Sequence, residues 1–116
     1  MLYDDSDNKR SIFMDRIEIS ELLDIYGSLL NEKQRSMLEL YCDEDLSLSE
    51  ISENVGITRQ GVRDAIAKAA KNLTGFEEKL CVASKNKMIA ALADEIRKNS
   101  SEKSVTEAAE KIIKLL

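Results

Sequence analysis

Apolar residues recur along this chain at helical spacing, not at the alternation of a strand. From Ile19 they fall at Leu22, Leu23, Tyr26, Leu29 and Leu30, the i, i+3, i+4, i+7 pattern that lines one face of a helix. Asn31 followed by Gln34 offers an acceptor for the free N–H groups of a new first turn, so a second helix is expected from near Glu32. Its inner face would be Met37, Leu38, Leu40 and Tyr41, and the acidic run Asp43-Glu44-Asp45 that ends it reads as a solvated loop. Ser47 with Glu50 three residues on forms a capping box just before Ile51 and Val55, which predicts a short third helix over about 48–55, stopped by Gly56. Thr58 can cap a fourth helix, with Val62, Ile66, Ala69 and Leu73 on one side and Arg59, Gln60, Arg63 and Lys71 on others.

Beyond Thr74-Gly75 the pattern predicts a helix from about 76 to 98, carrying Leu80, Val82, Met88, Ile89, Leu92 and Ile96, with a break allowed in its polar centre, 84–87. Asn99-Ser100-Ser101 interrupts it. Ser104 with Glu107 reads as another capping box, opening a last helix whose apolar positions are Val105, Ala108, Ala109, Ile112 and Leu116. The complete absence of Pro, with only four Gly, leaves long stretches free to run as helix. The expected fold is all-α, a helical bundle with a central helix-turn-helix and C-terminal helices. Residues 1–13, polar and partly acidic, read as an N-terminal extension and a candidate for disorder. Residues 14–75 make the helix-turn-helix domain. Residues 76–116 supply C-terminal helices and a candidate dimerisation element, because the apolar face of an amphipathic helix must be buried on something.

The centre carries the strongest constellation. Two helices that cross closely need a small residue on the first and a turn residue tolerant of positive φ, and Ser52 and Gly56 stand where these are required. Ile51, Val55, Ile57, Val62 and Ile66 take the flanking apolar places in the right order. An ordinary corner between two bundle helices, with Gly56 serving only as a stop, would satisfy part of this pattern. The charges weigh against it: Arg59, Arg63, Lys68 and Lys71 against Asp64 give the second helix +3 in a chain of net charge −5. The N-terminal turn of such a helix enters the major groove, where Arg63 can reach guanine O6 and N7 and Gln60 can pair with adenine N6 and N7. Thr58 and Arg59 are placed to grip phosphate, with Lys68 and Lys71 further along the same helix; a plain solvated surface is the alternative for each.

Composition narrows the remaining classes. With 116 residues there is room for one compact domain. Aromatics are 4% and Trp is absent, which disfavours the stacking platforms of single-strand binders. The acidic balance argues against nonspecific coating of DNA, since backbone affinity comes from many cations neutralising phosphates. Glu50, Glu53 and the run 43–45 would repel phosphate nearby, so DNA affinity is expected to be weak or to need a partner. No His is present, and Cys42 and Cys81 lie far apart without CxxC spacing, so they read as structural thiols and no metal or other cofactor is expected. Gly56-x4-Gly61 is followed by Val62-Arg63, where a nucleotide loop needs Lys and then Ser or Thr. An enzyme is not expected. No apolar run approaches the roughly 20 residues that cross a bilayer, and Asp stands where a signal peptide would have a basic start, so a cytoplasmic protein is expected.

Four strings together, Leu29-Leu30-Asn31-Glu32-Lys33-Gln34-Arg35, Leu38-Glu39-Leu40-Tyr41, Leu48-Ser49-Glu50-Ile51-Ser52-Glu53 and Thr58-Arg59-Gln60-Gly61-Val62-Arg63-Asp64, resemble the YlxM family and, more distantly, region 4 of bacterial sigma factors. The likeness runs from about Arg16 to Leu80. It implies a bacterial cytoplasmic helix-turn-helix protein linked to the signal recognition particle pathway. Two functions compete on this basis: a regulator that binds duplex DNA through residues 58–71, or an adaptor for the particle's GTPase or its RNA, with acidic helices meeting a basic partner. The basic helix favours the first and the net charge the second. A module that pairs as a homodimer through the C-terminal helices is a third.

Overall fold

A computed structural model describes residues 16–116, and every regular element among them is helical. They divide after Leu80 into two compact units; residues 1–13, expected as an N-terminal extension, lie outside the described residues.

The first unit opens with α1 (Arg16–Tyr26), which buries Leu22, Leu23 and Tyr26, the face its spacing predicts. A single 3-10 turn, Gly27–Leu29, then tightens the chain, so that Leu30 is buried while Leu29, expected on the same stripe, is exposed. The Asn31 side chain accepts from the Gln34 backbone N–H at 2.7 Å and starts α2 (Glu32–Leu38) where the capping pair predicts. Met37 and Leu38 are buried and Leu40 only half-buried. The helix then widens into a π turn over Glu39–Asp43, closed by the Glu44 N–H on the Glu39 carbonyl at 3.0 Å, and this turn carries Tyr41 into the core. Arg16 lies over the Tyr41 ring at 3.9 Å and pairs with Asp45, whose left-handed φ of 55° turns the chain out of the π segment.

The third helix, α3 (Leu48–Val55), begins with the complete capping box: Glu50 N–H to the Ser47 hydroxyl at 3.1 Å and Ser47 N–H to the Glu50 carboxylate at 2.9 Å. Gly56 stops it at φ 76°. Next comes α4 (Arg59–Leu80), 22 residues whose buried positions Val62, Ile66, Ala69 and Leu73 close the core over α1, α2 and α3.

Thr74-Gly75 does not end this helix. Thr74 turns its hydroxyl back onto the Ala70 carbonyl at 2.7 Å, and the backbone continues for almost two more turns. A glycine inside a helix costs about 1 kcal/mol against alanine, and the extension offsets that by docking on α1. The Phe76 ring sits 5.9 Å from the Tyr26 ring, and the Tyr26 hydroxyl donates to the Glu77 carboxylate at 2.6 Å. The break falls at Cys81, in the left-handed region at φ 57°, and not in the polar stretch 84–87.

The second unit is a hairpin of α5 (Val82–Lys98) and α6 (Lys103–Lys114), packed on each other through the buried residues Ala93 and Ala109. Its last helix starts two residues earlier than the expected capping box would place it: Glu102, not Ser104, is the cap residue, with no side-chain cap bond, and Ser104 and Glu107 lie inside the helix. Asp94 pairs with Arg97 and with Lys98, the latter at 3.0 Å, and is held below the ordinary carboxylate range by Lys98 first and Arg97 second.

Candidate nucleic-acid interface

The turn between α3 and α4 decides how the candidate residues are presented. Ser52, expected as the small residue at the crossing, does more than leave room: its hydroxyl donates to the Ile57 carbonyl at 2.6 Å and ties the end of α3 to the turn. Gly56 supplies the left-handed backbone with nothing within 4 Å of where a Cβ would stand, so conformation and not space requires glycine there. Ile51 is fully buried; Val55, expected to help lock the crossing, is 39% exposed, because the last turn of α3 carries it past the edge of the core.

Thr58 caps α4 as the spacing predicts, its hydroxyl accepting from the Gly61 N–H at 3.0 Å. A Cβ on Gly61 would stand a tight 3.1 Å from that same oxygen, although Gln34 and Glu50 carry a Cβ at the same position of the Asn31 and Ser47 caps. No acidic residue occupies the first turn of α4, in contrast to Glu50 in α3. The positive end of the helix dipole and the unpaired first N–H groups of α4 therefore face solvent without a carboxylate of their own turn.

Stepping 100° per residue from the buried stripe, the face opposite the core carries Gln60, Asp64 and Lys71, with Lys68 beside them, and all four are exposed. Thr58 and Arg59 are exposed at the helix start. Arg63 lies about a quarter-turn from the core stripe and is half-buried, so the outward position expected for it is reached only in part. Sequence reasoning missed a contact within this face: the Gln60 amide nitrogen donates to the Asp64 carboxylate at 2.9 Å. An i, i+4 pair of a polar amide and a carboxylate was the available signal. The bond uses one of the two amide N–H groups and leaves the second N–H and the amide oxygen for other partners. Donor and acceptor side by side are what the edge of adenine accepts.

The acidic residues weighed against this site are placed by the same fold. Glu53 is exposed on α3, and Asp43, Glu44 and Asp45 are exposed at the π turn. Glu50 is committed to the capping box, its carboxyl held below the ordinary range by the backbone N–H of Ser47 and then by that residue's hydroxyl. Cys42, half-buried at the π turn, has its thiol pushed up to about 11 by burial and by Asp43, against the opposing pull of Arg16. Among the described residues no group of His, Cys, Asp and Glu is arranged to hold a metal ion, and no helix is long and apolar enough to cross a membrane.

Comparison with known proteins gives the same motif a family. The family model described as "Putative helix-turn-helix protein, YlxM / p13 like" matches residues 13–114. A UPF0122 protein of Mycoplasma capricolum is 41% identical over 91 residues, 78% of this chain and 80% of its own length. One from Clostridium botulinum is 50% identical over 72 residues, 62% of this chain and 66% of its own. Another, from Clostridium perfringens, is 40% identical over 107 residues, covering 84% of this chain and 96% of the relative. With a helix-turn-helix in place between α3 and α4 and a family match over most of its length, this chain belongs to the UPF0122 family of YlxM-like helix-turn-helix proteins.

Proposed function

We propose that this protein is a cytoplasmic regulator that binds duplex DNA by placing the start of α4 in the major groove. The observation that carries this reading is the outer face of α4: Gln60 is hydrogen-bonded to Asp64, and Arg59, Lys68 and Lys71 stand exposed on a helix whose other side is locked into the core. Gln60 and Arg63 read bases, Gln60 toward adenine and Arg63, from the flank, toward guanine. Thr58, Arg59, Lys68 and Lys71 hold phosphate and fix the register.

The test is titration of the purified chain against genomic duplex fragments at two salt concentrations. Saturable, salt-sensitive binding with sequence preference is expected. Arg63→Ala should weaken specific binding by about 1–3 kcal/mol and relax the preference at one position, whereas Lys71→Ala should weaken all sequences alike and lower the salt slope by about 1. Binding that is indifferent to both substitutions would remove this face from the function.

A second reading has its own observation. Asp43, Glu44, Asp45 and Glu53 are exposed on the first unit, in a chain of net charge −5. Such a surface suits a basic protein partner, and the YlxM resemblance points to the GTPase of the signal recognition particle, or to its RNA bound through α4. Binding to that GTPase or RNA, with no affinity for duplex DNA in the same titration, would favour the adaptor over the regulator.

A further inference from the structure

The α5–α6 hairpin leaves most of its apolar surface outside the contact that forms it. Only Ala93 and Ala109 are buried between the helices, and two alanines do not make a core for a unit of this size. On α5, Met88, Ile89, Leu92 and Ile96 are exposed, and so are Ile112 on α6 and Leu115 at its C-cap, from 38% at Ile112 to 86% at Leu115. Stepped at 100° per residue, each set forms a stripe beside its helix's buried face. In an antiparallel pair, such as the short 99–102 connection dictates, the two stripes fall on the same side. The hairpin therefore carries one continuous apolar face.

We propose that this face is the interface of a homodimer, in which two hairpins pack as a four-helix bundle. Two observations select a second copy as the occupant. One is area: with about 200 Å² for a fully exposed side chain of this size, the six residues expose roughly 650 Å², close to the ~800 Å² per partner of a standard interface before intervening atoms are counted. The other is charge. Residues 81–116 hold seven Lys and Arg against five Asp and Glu, so two copies meet with little net repulsion, and both signs stand at the face: Lys85 at the start of the α5 stripe, with Glu95 and Lys111 along its borders. A patch that pairs with itself about a two-fold axis needs this balance. The dimer does not depend on what α4 binds; it places two helix-turn-helix units in one assembly, so that the second binding event becomes intramolecular.

Sedimentation of the full chain over a wide concentration range tests this. The expected result is a species of twice the 13.0 kDa chain mass that dissociates on dilution. Leu92→Glu and Met88→Lys, substitutions at positions already open to solvent, should give monomer throughout with the helical circular dichroism retained, while Lys87→Glu, exposed but off the stripe, should leave the dimer intact. A wild-type chain that stays monomeric at every concentration overturns the proposal. So does a dimer that survives both face substitutions, and so does a monomer that pairs only after residues 1–15 are deleted, since those residues would then be the occupant.

Discussion

Gly56 holds φ at 76° with open space around its α-carbon, so its substitution isolates the backbone term. Gly56→Ala should lower stability by about 1–2 kcal/mol, the cost of a left-handed L-residue, without disturbing any packed neighbour. Denaturant unfolding reads this as a lower midpoint at unchanged slope. Gly61 is the opposite case, since a Cβ there meets the oxygen that caps the helix at 3.1 Å. Cys42 gives a second prediction at the same scale. A thiol moved from 9.0 to about 11 carries about a hundredfold less thiolate at neutral pH than an ordinary one, so Cys42 should alkylate correspondingly slowly in the native state and at the ordinary rate after unfolding. Mass spectrometry of timed iodoacetamide reactions checks it, and rapid native labelling of Cys42 would contradict the burial described above.

The capping box of α3 makes a prediction at the scale of the element. Ser47→Ala removes the hydroxyl that accepts from the Glu50 N–H, leaving the Ser47 N–H on the Glu50 carboxylate, and should cost about 1 kcal/mol. The pH dependence has a definite sign: the folded Glu50 carboxyl sits below its unfolded value, so its contribution is complete above the ordinary glutamate range and disappears as pH falls through the depressed value. Wild type should therefore exceed Glu50→Gln in thermal midpoint near neutrality, with the gap narrowing on acidification. For α4 the decisive element is the extension beyond Gly75, held by Tyr26. Tyr26→Phe keeps the ring against Phe76 but removes the hydroxyl from Glu77, and should cost about 1 kcal/mol. Hydrogen exchange should localise the loss to amides 77–80, and unchanged protection there would mean that the ring contact alone holds the extension.

For the whole molecule the governing quantity is the uneven distribution of charge. Residues 58–71 are basic inside an acidic chain, and the carboxylates of the π turn lower the attraction of the molecule for any polyanion. Asp43→Asn combined with Glu44→Gln leaves the Arg16 contact of Asp45 in place. On the regulator reading it should tighten duplex binding several-fold at low salt and hardly at all at high salt, as anisotropy titrations would show. On the adaptor reading the same pair should weaken binding to a basic partner.

Several features were legible in the sequence because they are decided within a few residues. The caps at Asn31, Ser47 and Thr58, the stop at Gly56 and the stripe Val62, Ile66, Ala69 and Leu73 depend only on local hydrogen bonding and helical period, and each forms where the pattern places it. Thr74-Gly75 carries a local stop signal that contacts from α1, some 50 residues away in sequence, override. The π turn at Glu39–Asp43 and the half-burial of Arg63 likewise follow from where the core lies, which no short window contains. Local patterning determined which segments become helices and where most begin. Tertiary packing decided how far α4 runs, where the chain breaks and which cations face solvent, because burial against distant elements exceeds the single kilocalorie or so by which local propensity prefers an end.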